Sequence, residues 1–227
     1  LQLRFKGPHH FTGADSLRGN HGRVNQLWVH PHKPRELMAA SPHGGLWRTT
    51  NQGRSWQPLT DSLQPAGISA FSSTTGASLR IIAAQSVYTN ARPFRRYTKR
   101  LLYSRDTGRS WQPSNLQFNP DEGTYIHAFH QTHNALWAAS QRHVWQSKDG
   151  GANWLSVPID LQKGQEIFNL EEADNGLLLS GLQMAGCYNT SSHTWQPFQL
   201  PLEGNYRAHA LMHKGRVAVV TSQWPGN

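Results

Sequence analysis

The chain has little of what would tie it to a membrane, a disulfide scaffold or a familiar reaction centre. Its 227 residues include one cysteine, Cys187, so no internal disulfide can form, and a lone thiol reads as a small buried hydrophobe. No run approaches the roughly 18 consecutive apolar residues that a membrane helix needs. The opening Leu1-Gln2-Leu3-Arg4-Phe5-Lys6 lacks the apolar core of a signal peptide and an initiator Met, which reads as a processed or truncated start. Acids are scarce as well. Thirteen Asp and Glu face 22 Lys and Arg, a formal charge of +9, which favours anionic partners: nucleic acid, an acidic protein face or a lipid headgroup.

Reaction motifs are also missing. There is no Gly-x-Ser-x-Gly elbow and no glycine-rich phosphate loop, since Gly44-Gly45 and Gly150-Gly151 sit in turn contexts. The 13 histidines form only loose sets: His9-His10, His30 with His32, His127 with His130 and His133, and His209 with His213. Pro31 interrupts the strand that would align His30 with His32, and neither a His-Glu-x-x-His helix nor a zinc-type Cys/His spacing occurs. Glu171, Glu172 and Asp174 follow an apolar strand as a solvated loop would, and the other acids stand singly in polar connections. No metal, no cofactor and no catalysis is expected, so the chain is read as a non-enzyme.

What is present is a spaced signature, Ser/Thr-x-Asp/Asn-x-Gly-x-x-Trp, in three windows: Thr49 to Trp56, Ser104 to Trp111 and Ser147 to Trp154. Each position suits a tight hairpin. The Asn51, Asp106 or Asp149 side chain can accept hydrogen bonds from turn amides, Gly53, Gly108 or Gly151 supplies a positive φ, and Trp56, Trp111 or Trp154 anchors the next strand in the core. A fourth, worn copy, Tyr188 to Trp195, keeps Trp195 and a polar turn without Asp and Gly, so its turn is expected to survive on different hydrogen bonds. The tryptophans recur at intervals of 55, 43 and 41 residues, a period that points to propeller blades.

Four short strand patterns fill each period. The predicted fold is all-β: four-stranded antiparallel blades, about five in number, in one domain over 1–227. Blades fall at roughly 22–60, 66–115, 124–159 and 165–200, with a last blade at 205–227. Either Gln2 to Lys6, within 1–8, completes that blade and closes the ring, or the chain is part of a larger propeller.

The signature resembles the Asp-box, or bacterial neuraminidase repeat, of sialidases, sortilin-like receptors, xyloglucanases and the photosystem II assembly-factor family. The resemblance spans about 22–198. It is densest up to Trp56, where His30-Pro31, Pro34 and Gly44-Gly45-Leu46-Trp47 fall in the order of secreted bacterial Asp-box and sortilin-like domains. It implies a β-propeller with one box between the third and fourth strands of each blade, and an exported location, periplasmic or extracellular. A sialidase resemblance would imply an arginine triad, but Leu3-Arg4-Phe5-Lys6-Gly7-Pro8 stands where that family's Arg-Ile-Pro motif belongs. A xyloglucanase resemblance would need two carboxylates about 5 to 9.5 Å apart across a cleft between two propellers, for which the chain is too short.

The functional lead is the stretch responsible for the 55-residue interval, an expanded hairpin from Val87 to Ser104. Its Arg92, Phe94, Arg95, Arg96, Tyr97, Lys99 and Arg100 interleave cations with aromatics, as surfaces for anionic partners do. From Arg92 to Arg109 seven cations face Asp106 alone, a net +6 of the chain's +9. Nucleic acid is not favoured, because no recognised nucleic-acid-binding motif accompanies the segment. The expectation is a non-catalytic scaffold, an accessory or assembly subunit of a larger complex, docking an acidic protein surface through this hairpin. The alternative is a glycan-binding or glycoside-hydrolase-like exported protein of the sialidase or xyloglucanase kind.

Overall fold

The computed structural model describes residues 23–75, 79–88, 96–118, 124–200 and 204–223. These residues form strands and turns, and no helix among them is long and apolar enough to cross a membrane. The chain divides into two compact units, Leu1–Gln112 and Pro113–Asn227.

The first unit opens with an antiparallel sheet of β1 (Gln26–Val29), β2 (Leu37–Ser41), β3 (Gly45–Thr49) and β4 (Gln57–Pro58), paired in chain order. A second sheet, again in chain order, joins β5 (Ile68–Thr74), β6 (Arg80–Tyr88), β7 (Arg96–Ser104) and β8 (Gln112–Gln117), the last beginning at the unit boundary. The alternation of side chains along a strand gives each sheet one apolar face. Met38, Ala40 and Leu46 from the first sheet meet Ile68, Phe71, Ile81 and Ala83 from the second in one core, with Trp28, Leu59 and Trp111 packed at its rim. Each large aliphatic or aromatic side chain so enclosed contributes roughly 1.5–3 kcal/mol. Gln26 fastens the two sheets, donating from Nε2 to the Phe71 carbonyl at 2.8 Å and accepting the Phe71 amide at 2.9 Å.

The second unit holds β9 (Ala128–Gln131), β10 (Leu136–Ala139), β11 (Val144–Ser147) and β12 (Leu155–Val157) in one antiparallel sheet. A further sheet comprises β13 (Glu166–Ala173), β14 (Gly176–Leu182), β15 (Met184–Asn189) and β16 (Thr194–Pro197). A hairpin of β17 (Tyr206–His213) and β18 (Arg216–Gln223) joins it through the Leu182–Arg207 pair. Trp137, Val144, Ile167, Leu177, Leu179 and Tyr188 form the larger core here, while Leu178, Ala185, Ala208 and Ala210 seat the hairpin.

Some strand limits differ from the sequence-based expectation. The first strand begins at Gln26 instead of Val24, which is 55% exposed. The fourth shrinks to Gln57–Pro58, although the Leu59 amide still reaches the Leu46 carbonyl at 2.8 Å. The signature tryptophans are also less uniformly interior than predicted. Trp154 is buried, whereas Trp56, Trp111 and Trp195 are half-buried, lying where the fourth strand leaves the turn. The 1–8 segment expected to complete the last blade, and Trp224, lie outside the described residues.

Candidate functional site

The three signature windows make the turns β3–β4, β7–β8 and β11–β12, with one hydrogen-bond plan. In the second, the Ser104 hydroxyl donates to Asp106 Oδ1 (2.8 Å) and accepts the Gly108 amide (2.8 Å). Asp106 accepts the Ser110 amide at Oδ1 (2.9 Å) and the Ser110 hydroxyl at Oδ2 (2.7 Å). Thr49 and Asn51 repeat this with Gly53 and Ser55, and Ser147 and Asp149 with Gly151 and Asn153. Gly53, Gly108 and Gly151 have φ of 78°, 82° and 99°, the left-handed region in which a Cβ is strained. The Trp111 indole donates to the Leu59 carbonyl, and that of Trp154 to the Gly151 carbonyl. In the worn copy Asn189 Oδ1 takes the amides of Ser191 and Ser192, so a turn persists on other bonds.

These donors fix the charge state of the acids. The Ser110 side chain, then its amide and the Ser104 hydroxyl, hold the Asp106 carboxyl down at about 2. Burial pushes Asp149 up, but the bonds from Asn153, Ser147 and Ala152 together outweigh it and leave its carboxyl below the ordinary value. Neither has the raised pKa of a general acid. Sequence reasoning assigned no task to the hydroxyls of Thr49, Ser104 and Ser147, each about 2% exposed, although their place in the signature marked them.

The basic segment lies at the other end of its sheet. In this antiparallel ladder Val87 pairs with Tyr97 at one end and Ile81 with Ser104, which opens the β7–β8 turn, at the other. Arg96, Tyr97, Lys99 and Arg100 all lie on β7; Arg92, Phe94 and Arg95 lie outside the described residues. Arg96 and Lys99 are exposed, Tyr97 and Arg100 half-buried. Between Gln85 and Ser86 the register slips, so that Arg100 opposes Gln85, Thr98 opposes Ser86 and Lys99 is the extra residue of a bulge.

The root of this hairpin is polar and buried. Gln85 continues the core-facing row of Ile81 and Ala83, yet it is an amide with no exposed surface. It donates to the Pro65 carbonyl and accepts from Arg100 Nε at 2.8 Å. Ser86 donates to the Pro42 carbonyl, and Thr60 donates to the Ala66 carbonyl while accepting the Leu46 amide. Lys99 Nζ reaches the Gln64 carbonyl at 3.0 Å. A Cβ on Gly67 would collide with the Pro42 carbonyl, so only glycine lets the 60–67 connection pass beneath the hairpin. A buried polar group is costly unless satisfied, and a satisfied network is rigid and specific.

The second unit carries a groove of about 310 Å³, lined among others by His133, Trp137, Lys148, Glu172, Tyr188 and His193. The Tyr188 hydroxyl lies 3.2 Å from His193 Nδ1, and burial pushes its phenol up. Among the described residues no three His, Cys, Asp or Glu side chains stand close enough to hold a metal ion.

No protein-family model and no curated protein matches the chain. Solved structures do. An ancestral GH74 enzyme is similar at a TM-score of 0.65 and 19% identity, over 89% of this chain and 31% of its own. The GH74 xyloglucanase from Xanthomonas campestris is similar at 0.54 and 18%, over 78% and 30%. YCF48 bound to D1 peptide is similar at 0.59 and 16%, over 88% of this chain and 62% of that one. The chain thus spans about a third of the GH74 chains and less than two thirds of YCF48. At these identities the likeness shows the fold alone: β-propeller, built of four-stranded antiparallel blades.

Proposed function

We propose that this chain is an Asp-box propeller working as a non-catalytic binding scaffold, an accessory or assembly subunit that docks an acidic protein surface through the β6–β7 hairpin. The observation that carries this reading is the hairpin's root. Gln85, Ser86, Thr98 and Thr60 are polar yet enclosed, which serves no packing purpose and makes sense if the strands above must be held in one pose. Arg96 and Lys99 then stand on a rigid stem, so less ordering entropy is lost when a carboxylate-rich partner engages them. Charge steers the encounter, and Tyr97 supplies rigid contact area. The YCF48 structure with its D1 peptide supports the idea that such a fold can receive a polypeptide. An exported location, periplasmic or extracellular, belongs to the same reading and rests on the family resemblance.

The test is capture of protein partners from the native source by the chain and by a variant with Arg92, Arg95, Arg96 and Lys99 changed to Ser, read by mass spectrometry. Arg100 is left in place because it holds Gln85. A stoichiometric partner lost in the variant is expected. The same partner captured by both, or none captured by either, overturns the reading.

The competing reading, glycan binding or hydrolysis, draws on the GH74 likeness and on the aromatic and polar lining of the 310 Å³ groove. Xyloglucan oligosaccharide binding that His133→Ala or His193→Ala abolishes would favour it.

A further inference from the structure

We propose that a recess in the first unit, between the β4–β5 connection and the β7–β8 signature turn, binds a short zwitterion: a free peptide of about two residues with its carboxylate on Arg109 and its amine on Asp61. The inference is independent of the basic hairpin. Arg109 closes the cationic run along the sequence, but it stands on the signature turn, beyond the Ser104 end of β7.

The recess encloses about 370 Å³ and is lined among others by Arg48, Leu59, Asp61, Ser62, Thr107 and Arg109. Small-molecule sites run from roughly 300 to 1,000 Å³, and a dipeptide is at most about 7 Å from end to end. The two walls are fastened to one another. Leu59 gives its amide to the Leu46 carbonyl at 2.8 Å and accepts the Trp111 indole at 2.8 Å. Gly108 lies so close over the Leu59 side chain that a Cβ there would stand 2.9 Å from Cδ1. Asp61 and Ser62 occupy the middle of a turn closed by the Leu63 amide on the Thr60 carbonyl at 2.9 Å. Thr60 is buried and bonded in turn to the Leu46 amide and the Ala66 carbonyl. Walls held in this way have little ordering entropy left to lose when a ligand enters.

Charge decides the class of ligand. Arg48 gives Nε and Nη2 to Oε1 of the buried Glu36, at 2.7 Å each, so that guanidinium already has its counter-charge. Arg109 and Asp61 are placed differently. Both are exposed and line the one recess, yet among the described residues neither side chain makes an ion pair or a hydrogen bond. Their charged atoms therefore stand more than 4.0 Å apart. The Ser62 and Thr107 hydroxyls are also without a partner among the described residues. One unmet positive charge, one unmet negative charge and two free hydroxyls between rigid walls match a ligand with both charges at opposite ends, since Arg grips a carboxylate bidentately and a carboxylate takes an ammonium. A dianion such as phosphate would face Asp61, and a plain cation would face Arg109. A neutral sugar would leave both charges unmet.

The test uses the full 227-residue chain and isothermal titration calorimetry with the dipeptide Ala-Leu, its N-acetyl form and its C-terminal amide. Ala-Leu is expected to bind at least tenfold tighter than either blocked form. Arg109→Gln should abolish the preference for the free carboxylate and keep that for the free amine, and Asp61→Asn should do the reverse, at unchanged melting temperature because both side chains are exposed. Arg96→Ser with Lys99→Ser should leave all three affinities as they are, which keeps failure here distinct from failure of the basic-hairpin reading. Equal affinities for the three peptides, or no binding of Ala-Leu, overturns the proposal whether or not the variants fold. So does either single variant that keeps both preferences. Displacement of Ala-Leu by inorganic phosphate or by a xyloglucan oligosaccharide at equal concentration overturns it too, in favour of an anion site or a glycan site.

Discussion

At the level of single residues, the hydroxyls of Thr49, Ser104 and Ser147 each give a hydrogen bond to the acid or amide two residues on and take one from the glycine amide four residues on. Nature has placed Asn at the acid position once and Asp twice, which makes a pH experiment possible within one fold. The folded-state carboxyl of Asp106 titrates at about 2 against an ordinary 3.8, so between those values the unfolded chain holds more protons than the native one. The stability that this turn contributes is therefore complete above about pH 4 and is lost as pH falls through 2. Asp106→Asn should flatten part of the acid limb of a melting-temperature profile between about pH 5 and pH 2. An unchanged profile would mean the turn does not discriminate the charged form. The residue before the signature glycine offers a second experiment. Gln52 and Thr107 have φ of 60° and 67°, whereas the third copy has Gly150 there, at 79°. A β-branched side chain in that region is strained, so Thr107→Gly should raise stability by about 1 kcal/mol in a denaturant titration.

At the level of elements, the β6–β7 hairpin shows how far local sequence reaches. Its excess length was legible from the 55-residue tryptophan interval, and its basic character from composition. The way it is held was not. Gln85 is one polar letter in an otherwise apolar row, and its partners Pro65 and Arg100 come from a distant connection and a neighbouring strand. Gln85→Leu keeps the volume but leaves the Pro65 carbonyl and Arg100 Nε without their buried partner. It should cost about 1–3 kcal/mol by denaturant titration and speed amide exchange along β7. Equal exchange in the two proteins would show that the root does not hold the stem.

For the whole molecule, net charge is the property with a measurable reach. Seven of the 22 cations fall in the 18 residues from Arg92 to Arg109, and a further five basic side chains, two of them histidines, lie on or beside the β17–β18 hairpin in the other unit. Capture of an acidic partner should therefore weaken steeply as salt rises from about 50 to about 300 mM, as expected where exposed charge steers association. A salt-insensitive complex would point instead to apolar contact. The two carboxylates with resolved shifts, Asp106 and Asp149, are both held below the ordinary value by turn donors.

By itself the sequence determined the turn chemistry, which is encoded within eight residues, and, through the recurrence of that window every 41 to 55 residues, the repeat and the strand class. Tertiary structure decided which polar groups are enclosed and which strands pack against one another. Those outcomes depend on segments that meet only after folding, such as Gln26 with Phe71 across 45 positions, and Ser86 with Pro42 across 44. Burial is a property of the assembled sheets, and no window of sequence contains both partners.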